Sequence, residues 1–187
     1  NKLISGNVSI AALYRLPWLL LTIIGGLIAS YVMTTYSSHY PDGFVSLAIS
    51  LSFVPLLMGL GGNVGNQSAT IMVRSLATGA IKTKRGLRFI GRELLVGSII
   101  ATVVSIIVLL ATLLISYPPV FAIIVGASIF LNIVVATTIG ASLPLLFNRI
   151  NIDPAVASAP FISTALDIIG QIIYYSLTLT LLHYLIL

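Results

Sequence analysis

Residues 154–187 read PAVASAPFISTALDIIGQIIYYSLTLTLLHYLIL, and Asp167 is the one Asp, Glu, Lys or Arg among them. At about 1.5 Å per residue, a helix of this length outreaches the roughly 30 Å hydrocarbon core of a bilayer. Pro154 suits a first helical turn, where its missing N–H costs nothing, and Asp153 before it can cap that turn. The whole chain shares this character. Hydrophobic residues make up 58% and charged residues 7% of its 187 positions, against about a quarter charged in an ordinary soluble domain. Mean hydropathy is +1.14. Such a chain cannot cover itself with polar surface, so lipid must be its solvent. The expected fold is all-α, a polytopic integral membrane protein.

Working back from residue 154, four further apolar segments cover about 16–36, 44–79, 93–115 and 120–147, which with 154–187 makes five spans. Residues 1–15 form a less apolar interfacial or linking segment, and residues 16–187 one transmembrane unit. The connections SSHYPDG, SYPP and RINIDPA are rich in turn residues. Trp18 suits the headgroup layer. The stretch 44–79 would exceed 50 Å as one helix, so it must tilt, break or protrude. Pro55 and the cluster Gly59, Gly61, Gly62 and Gly65 are its weak points.

Net charge is +5. In a soluble protein this would suggest nucleic acid; in a membrane protein it marks the cytoplasmic side. With the amino terminus cytoplasmic, Lys2, Arg15, Arg74, Lys82, Lys84, Arg85, Arg88, Arg92 and Arg149 all fall inside, and the outside loops carry only His39 and Asp42. Five spans then put the carboxyl terminus outside. No nucleic-acid partner is expected. There is no cysteine, which excludes disulfides and thiolate metal sites. The chain begins at Asn1 with no leader pattern, and we expect an excised membrane domain whose soluble parts lie elsewhere.

Four acidic residues exist, and three of them, Asp42, Glu93 and Asp153, fall in loops or at expected span ends. Asp167 lies thirteen residues beyond Pro154, or about 20 Å along a helix, near mid-bilayer. A carboxylate there costs roughly 2.5–3.5 kcal/mol on insertion scales, so something must compensate. Around it, Pro160, Ser163, Thr164, Gly170, Gln171, Tyr174 and Thr178 share a polar or small stripe; Phe161, Ile162, Ile168, Ile169, Ile172 and Ile173 form the lipid-facing side. In LGGNVGNQSAT, the residues Gly59, Gly62, Asn63, Asn66, Gln67, Thr70 and Arg74 make a second polar face, with Asn66 at the depth expected for Asp167.

Plainer roles compete with these. An intramembrane Asp can simply bond a neighbouring helix, and Gly61 with Gly65 signals close helix packing. Asn132 is taken as interhelical glue, Asp153 as a cap before a ligand, Glu93 with Arg92 as a surface pair, and Arg74 as reaching the headgroups. His39 and His183 are assigned to no metal site.

The donors available at mid-membrane are carboxylate, amide, hydroxyl and carbonyl oxygens, which suit magnesium or calcium rather than copper or zinc. The segments PLLMGLGGNVGNQSAT with VRSLATG, and DPAVASAPFISTALDIIGQIIYY, resemble the two signature segments of the MgtE-type magnesium channel family, in order and at the expected separation. RLPWL and the basic connection extend the resemblance to nearly the whole chain. It implies a prokaryotic cell-membrane protein, a two-fold homodimer of five-helix subunits, with one pore on the axis. It also implies a hydrated Mg²⁺ held by Asp167 of both subunits, with Gly62, Asn66, Thr70 and Ser163 in the outer shell. Asn63, Gln67, Thr164, Gly170 and Gln171 would line the pore, and Asp153 would form a weaker cation site at the cytoplasmic mouth. The family's cytoplasmic magnesium-sensing domains are absent from this chain. The expected activity is ion passage and not catalysis, with a sodium- or proton-coupled carrier and a non-transporting assembly domain as alternatives.

Overall fold

A computed structural model describes residues 8–39, 47–80 and 86–186, with backbone alone for 8–19, 47, 155–158 and 182–186. Lys2, Asp42, Lys82, Lys84 and Arg85 lie outside the described residues, as do the side chains of Arg15, Trp18 and His183. Among the described residues the chain is helical without strands: α1 (Val8–Ser37), α2 (Leu47–Ser52), α3 (Val54–Ala77), α4 (Gly86–Leu114), α5 (Pro119–Arg149) and α6 (Pro154–Ile186). Five stretches are long and apolar enough to cross a membrane, namely Leu20–Ser37, Ala48–Ala77, Gly86–Leu114, Pro119–Arg149 and Ala159–Leu181. The protein is an all-α polytopic membrane protein with five spanning helices.

The overlong second segment breaks, and it breaks at its proline. Phe53 separates α2 from α3, and Pro55 occupies the first turn of α3. Proline offers no N–H to the carbonyl four residues back, so the helical ladder cannot run through it. The third span, α4, starts at Gly86, about two turns before Glu93. Arg88 and Arg92 therefore sit on α4 itself, where both are exposed.

α5 is the hub. It packs along α3, α4 and α6, while α1 lies against α6. Small residues set these approaches. A Cβ on Gly140 would collide with the carbonyl oxygen of Gly65, so α3 and α5 cross with backbone nearly against backbone. Gly97 of α4 receives Thr137 of α5, and Gly86 receives Leu145. Gly65 also receives Leu166 of α6. This is the small-residue packing that membrane helices use where lipid offers no hydrophobic drive between them. Val125, Ile129 and Ile133 of α5 are fully buried, whereas Leu95, Ile99, Ile106 and Ile107 of α4 are exposed, as a lipid-facing helix requires.

At the α1–α2 end, Phe53, Tyr117 and Phe121 meet edge to face, and Tyr36 stacks on Tyr175. At the opposite end, Met72, Ala141 and Leu145 form a smaller cluster with Phe89 and Ile90. Two expectations are corrected. Ile162 does not face lipid: it is buried among Ala69, Ala136 and Leu166, because α6 is flanked by α1, α3 and α5 and only a narrow strip stays free. Glu93 is no surface partner of Arg92. It is 7% exposed and accepts a hydrogen bond from Ser68 Oγ at 3.0 Å.

Candidate functional site

α3 and α6 run antiparallel, and two side-chain bonds fix their register. Asn66 Nδ2 donates to Ser163 Oγ at 3.2 Å. Eight residues away on each helix, Gln171 Nε2 approaches Met58 Sδ at 3.6 Å. Asp167 lies midway between Ser163 and Gln171, and Gly62 lies midway between Met58 and Asn66. The carboxyl of Asp167 therefore falls at the level of Gly62, one of the glycines of α3. A Cβ at Gly62 would meet nothing within 4 Å.

Asp167 is half-buried, and no hydrogen bond or ion pair joins it to another described residue. An interhelical glue residue would show such a bond; Asp167 shows none among the described residues. Asn63, Asn66, Gln67, Thr70 and Ile71 line an open groove of about 490 Å³ along α3, which Asn66 joins to Ser163, one turn from Asp167. Thr70 Oγ1 donates to the Asn66 carbonyl at 2.7 Å, which leaves the hydroxyl oxygen able to accept. The Asn66 Oδ1 atom is buried with no hydrogen-bond partner. The amide is oriented by its N–H bond to Ser163, and its oxygen is left for a donor or a cation.

The remaining sequence candidates go elsewhere. Thr164 packs its methyl against Gly25 of α1. Gly170 faces Asn132, whose Oδ1 would stand 2.9 Å from a Cβ there. Gln171, 5% exposed, points into the bundle. Asp153 is exposed just before α6, fourteen residues or about 20 Å from Asp167. Asn132 does act as glue: it is 1% exposed and its Nδ2 donates to the Leu57 carbonyl at 2.7 Å. The residues that sequence reasoning missed are Ser68 and Glu93, and a helix begun at Gly86 would have drawn attention to them. Among the described residues no three of His, Cys, Asp or Glu converge on one point.

A carboxyl with no partner among the described residues, a buried amide oxygen without a donor and a file of hydroxyl and amide groups on a spanning helix make a hard, oxygen-donor face. The fold and this face together define a polytopic helical membrane domain with an oxygen-donor face on one spanning helix. Residues 54–177 match the MgtE family model, described as a divalent cation transporter. The chain belongs to that family. It is 34% identical over 171 residues to the magnesium transporter MgtE of Thermus thermophilus, 91% of this chain and 37% of that protein. Against the magnesium transporter MgtE of Bacillus subtilis it is 30% identical over 174 residues, 93% of this chain and 38% of the relative. For the magnesium transporter MgtE of Enterococcus faecalis the figures are 30% over 181 residues, 97% and 39%. The chain thus spans about two fifths of the length of these relatives.

Proposed function

We propose that this chain is the membrane part of a magnesium channel, passing hydrated Mg²⁺ through a pore that two copies form on a two-fold axis. The observation that carries the reading is Asp167 at the level of Gly62, one turn from the Ser163–Asn66 bond that borders an open polar groove, with no hydrogen bond or ion pair to any other described residue. The relatives named as magnesium transporters support the choice of ion. One subunit offers one mid-membrane carboxylate, which cannot neutralise a divalent ion; two related by symmetry can, and a closed two-fold dimer is the commonest assembly.

On this reading Asp167, Ser163, Asn66, Thr70 and Gly62 face the hydrated ion, and Asn63 and Gln67 line its approach. Asp153 offers a weaker site at the cytoplasmic mouth. Thr164, Gly170 and Gln171 support the pore wall from behind. Magnesium releases its waters reluctantly, so a wide groove of oxygen donors suits the hydrated ion. Manganese, cobalt and nickel are less favoured passengers. The amino terminus is cytoplasmic by the charge argument, and further cytoplasmic domains would regulate opening.

The test is Mg²⁺ flux into proteoliposomes holding the full-length protein. Flux that follows membrane potential without a sodium or proton gradient is expected. Flux that needs such a gradient would replace the channel with a coupled carrier, and its absence would leave an assembly domain. Cross-linking of a single cysteine placed at Ser163 should trap dimers.

A further inference from the structure

Glu93 is the one carboxyl that the proposed pathway leaves unused inside a span. It sits on α4, the most lipid-exposed of the fully described helices, whose other hydroxyl side chains are self-satisfied. Ser98, Thr102, Ser105 and Thr112 all donate to carbonyls of their own helix. Among the described residues, the bond from Ser68 Oγ to Glu93 Oε2 is the only hydrogen bond that α4 makes with another helix. Its target is also unexpected. α4 packs along α5, yet Glu93 reaches α3, with which α4 shares little packing. The bond is therefore no by-product of two helices already in contact. It is a strut across the bundle.

Ser68 has a particular place on α3. It lies between Asn66 and Thr70, two residues from each, so at 100° per residue it points to the far side of the helix. Ser68 is buried, with Ala69 and Met72 beside it in the core, while Thr70 and Gln67 are exposed in the groove. A rotation of α3 that pulled Ser68 from Glu93 would also move Thr70 in the groove and Asn66, which bonds Ser163 of α6. The packing of Gly65 on Gly140 is smooth, and glycine against backbone fixes distance better than angle. A directional bond supplies what that contact lacks.

We propose that Glu93 is a positioning residue: through Ser68 it holds α3 at the rotation that turns Asn66, Gln67 and Thr70 into the groove. The consequence for transport rests on the groove being the ion path, whereas the rotation itself does not. This chain has no cysteine, so Gln67→Cys gives it one thiol, and its modification over and above that of the parent protein reports which way α3 faces. The rate of its modification by a water-soluble thiol reagent would be measured in the full-length protein, alongside Mg²⁺ flux.

A hydrogen bond is worth roughly fivefold in an equilibrium, so Ser68→Ala and Glu93→Ala should each slow modification by up to about that factor and lower the maximal flux. Glu93→Gln keeps an oxygen for Ser68 to donate to and should retain both signals. The double variant Ser68→Ala with Glu93→Ala should be no worse than either single one. Unchanged modification in Ser68→Ala, or Glu93→Gln as damaging as Glu93→Ala, would overturn the proposal. If Glu93→Ala fails to fold, Ser68→Ala and Glu93→Gln carry the test. Altered modification with unaltered Mg²⁺ flux would support the positioning role and overturn the groove as the ion path.

Discussion

Gly61 and Gly62 are neighbours in sequence and have opposite surroundings. A Cβ on Gly61 would stand 2.9 Å from Asn132 Nδ2, in a junction where α3, α5 and α6 close around one amide. A Cβ on Gly62 would meet nothing within 4 Å. One glycine exists so that helices can touch, and the other leaves a gap in front of a carboxyl. The same division separates the two asparagines, Asn132 sealed in the junction and Asn66 at the groove. Polar residues inside a bilayer thus serve two ends, and what distinguishes them is whether a neighbouring helix fills the space beside them.

Four substitutions test that contrast. Gly140→Ala attacks the closed side where backbone meets backbone; neither partner can yield, and a loss of about 3 kcal/mol is expected. Thermal unfolding followed by size-exclusion chromatography would show it, and a parent-like melting curve would contradict the crossing. Asp167→Asn attacks the open side. It should leave the melting curve in place while Mg²⁺ flux falls roughly tenfold or more, equivalent to about 1.4 kcal/mol in ion binding. Loss of stability ahead of flux would instead make Asp167 a packing residue.

Asn132→Leu keeps the size of the side chain and removes the bond to Leu57. It should cost about 1 kcal/mol of stability, as interhelical hydrogen bonds in membranes do, with flux per folded molecule retained. Gly62→Ala should be the mildest. Stability should stay within about 0.5 kcal/mol of the parent. Flux should fall about twofold, near 0.4 kcal/mol, as the methyl narrows the space before Asp167. A large destabilisation would mean that Gly62 is packed after all.

The helices and their number were legible because lipid imposes a long, nearly uncharged run on each span, and Pro55 announced its own break. The site was legible in part. Periodicity put Ser163, Thr164, Asp167, Gly170, Gln171 and Tyr174 on one broad stripe of α6, but a stripe that wide touches more than one neighbour. Ser163 and Asp167 meet the open face of α3, Thr164 meets α1, and Gly170 with Gln171 turns to Asn132 and Met58. Helical spacing says which residues share a side, and only the assembled bundle says what stands opposite. Depth was read closely but not fully: Asn66 pairs with Ser163, one turn from Asp167. Glu93 escaped notice because Arg88 and Arg92 made its surroundings look like a connection, and long basic side chains can lie on a helix while reaching water.

The break at Phe53 decides which parts of the chain move as one piece. α2 is six residues long, and Ser50 is tied to Tyr174 of α6, whose phenol donates to the Ser50 carbonyl at 2.9 Å. The peptide nitrogen of Pro55 has no hydrogen to return to Leu51, so α2 and α3 are joined by chain and not by a helical ladder. α2 is thus tied to α6 through Ser50 and Tyr174 as well as joined to α3 by the chain. A tilt of α3 would be absorbed at residue 53, like the pin of a gate whose post stays still, and the Asp167 helix would keep its footing while the helix facing it swings.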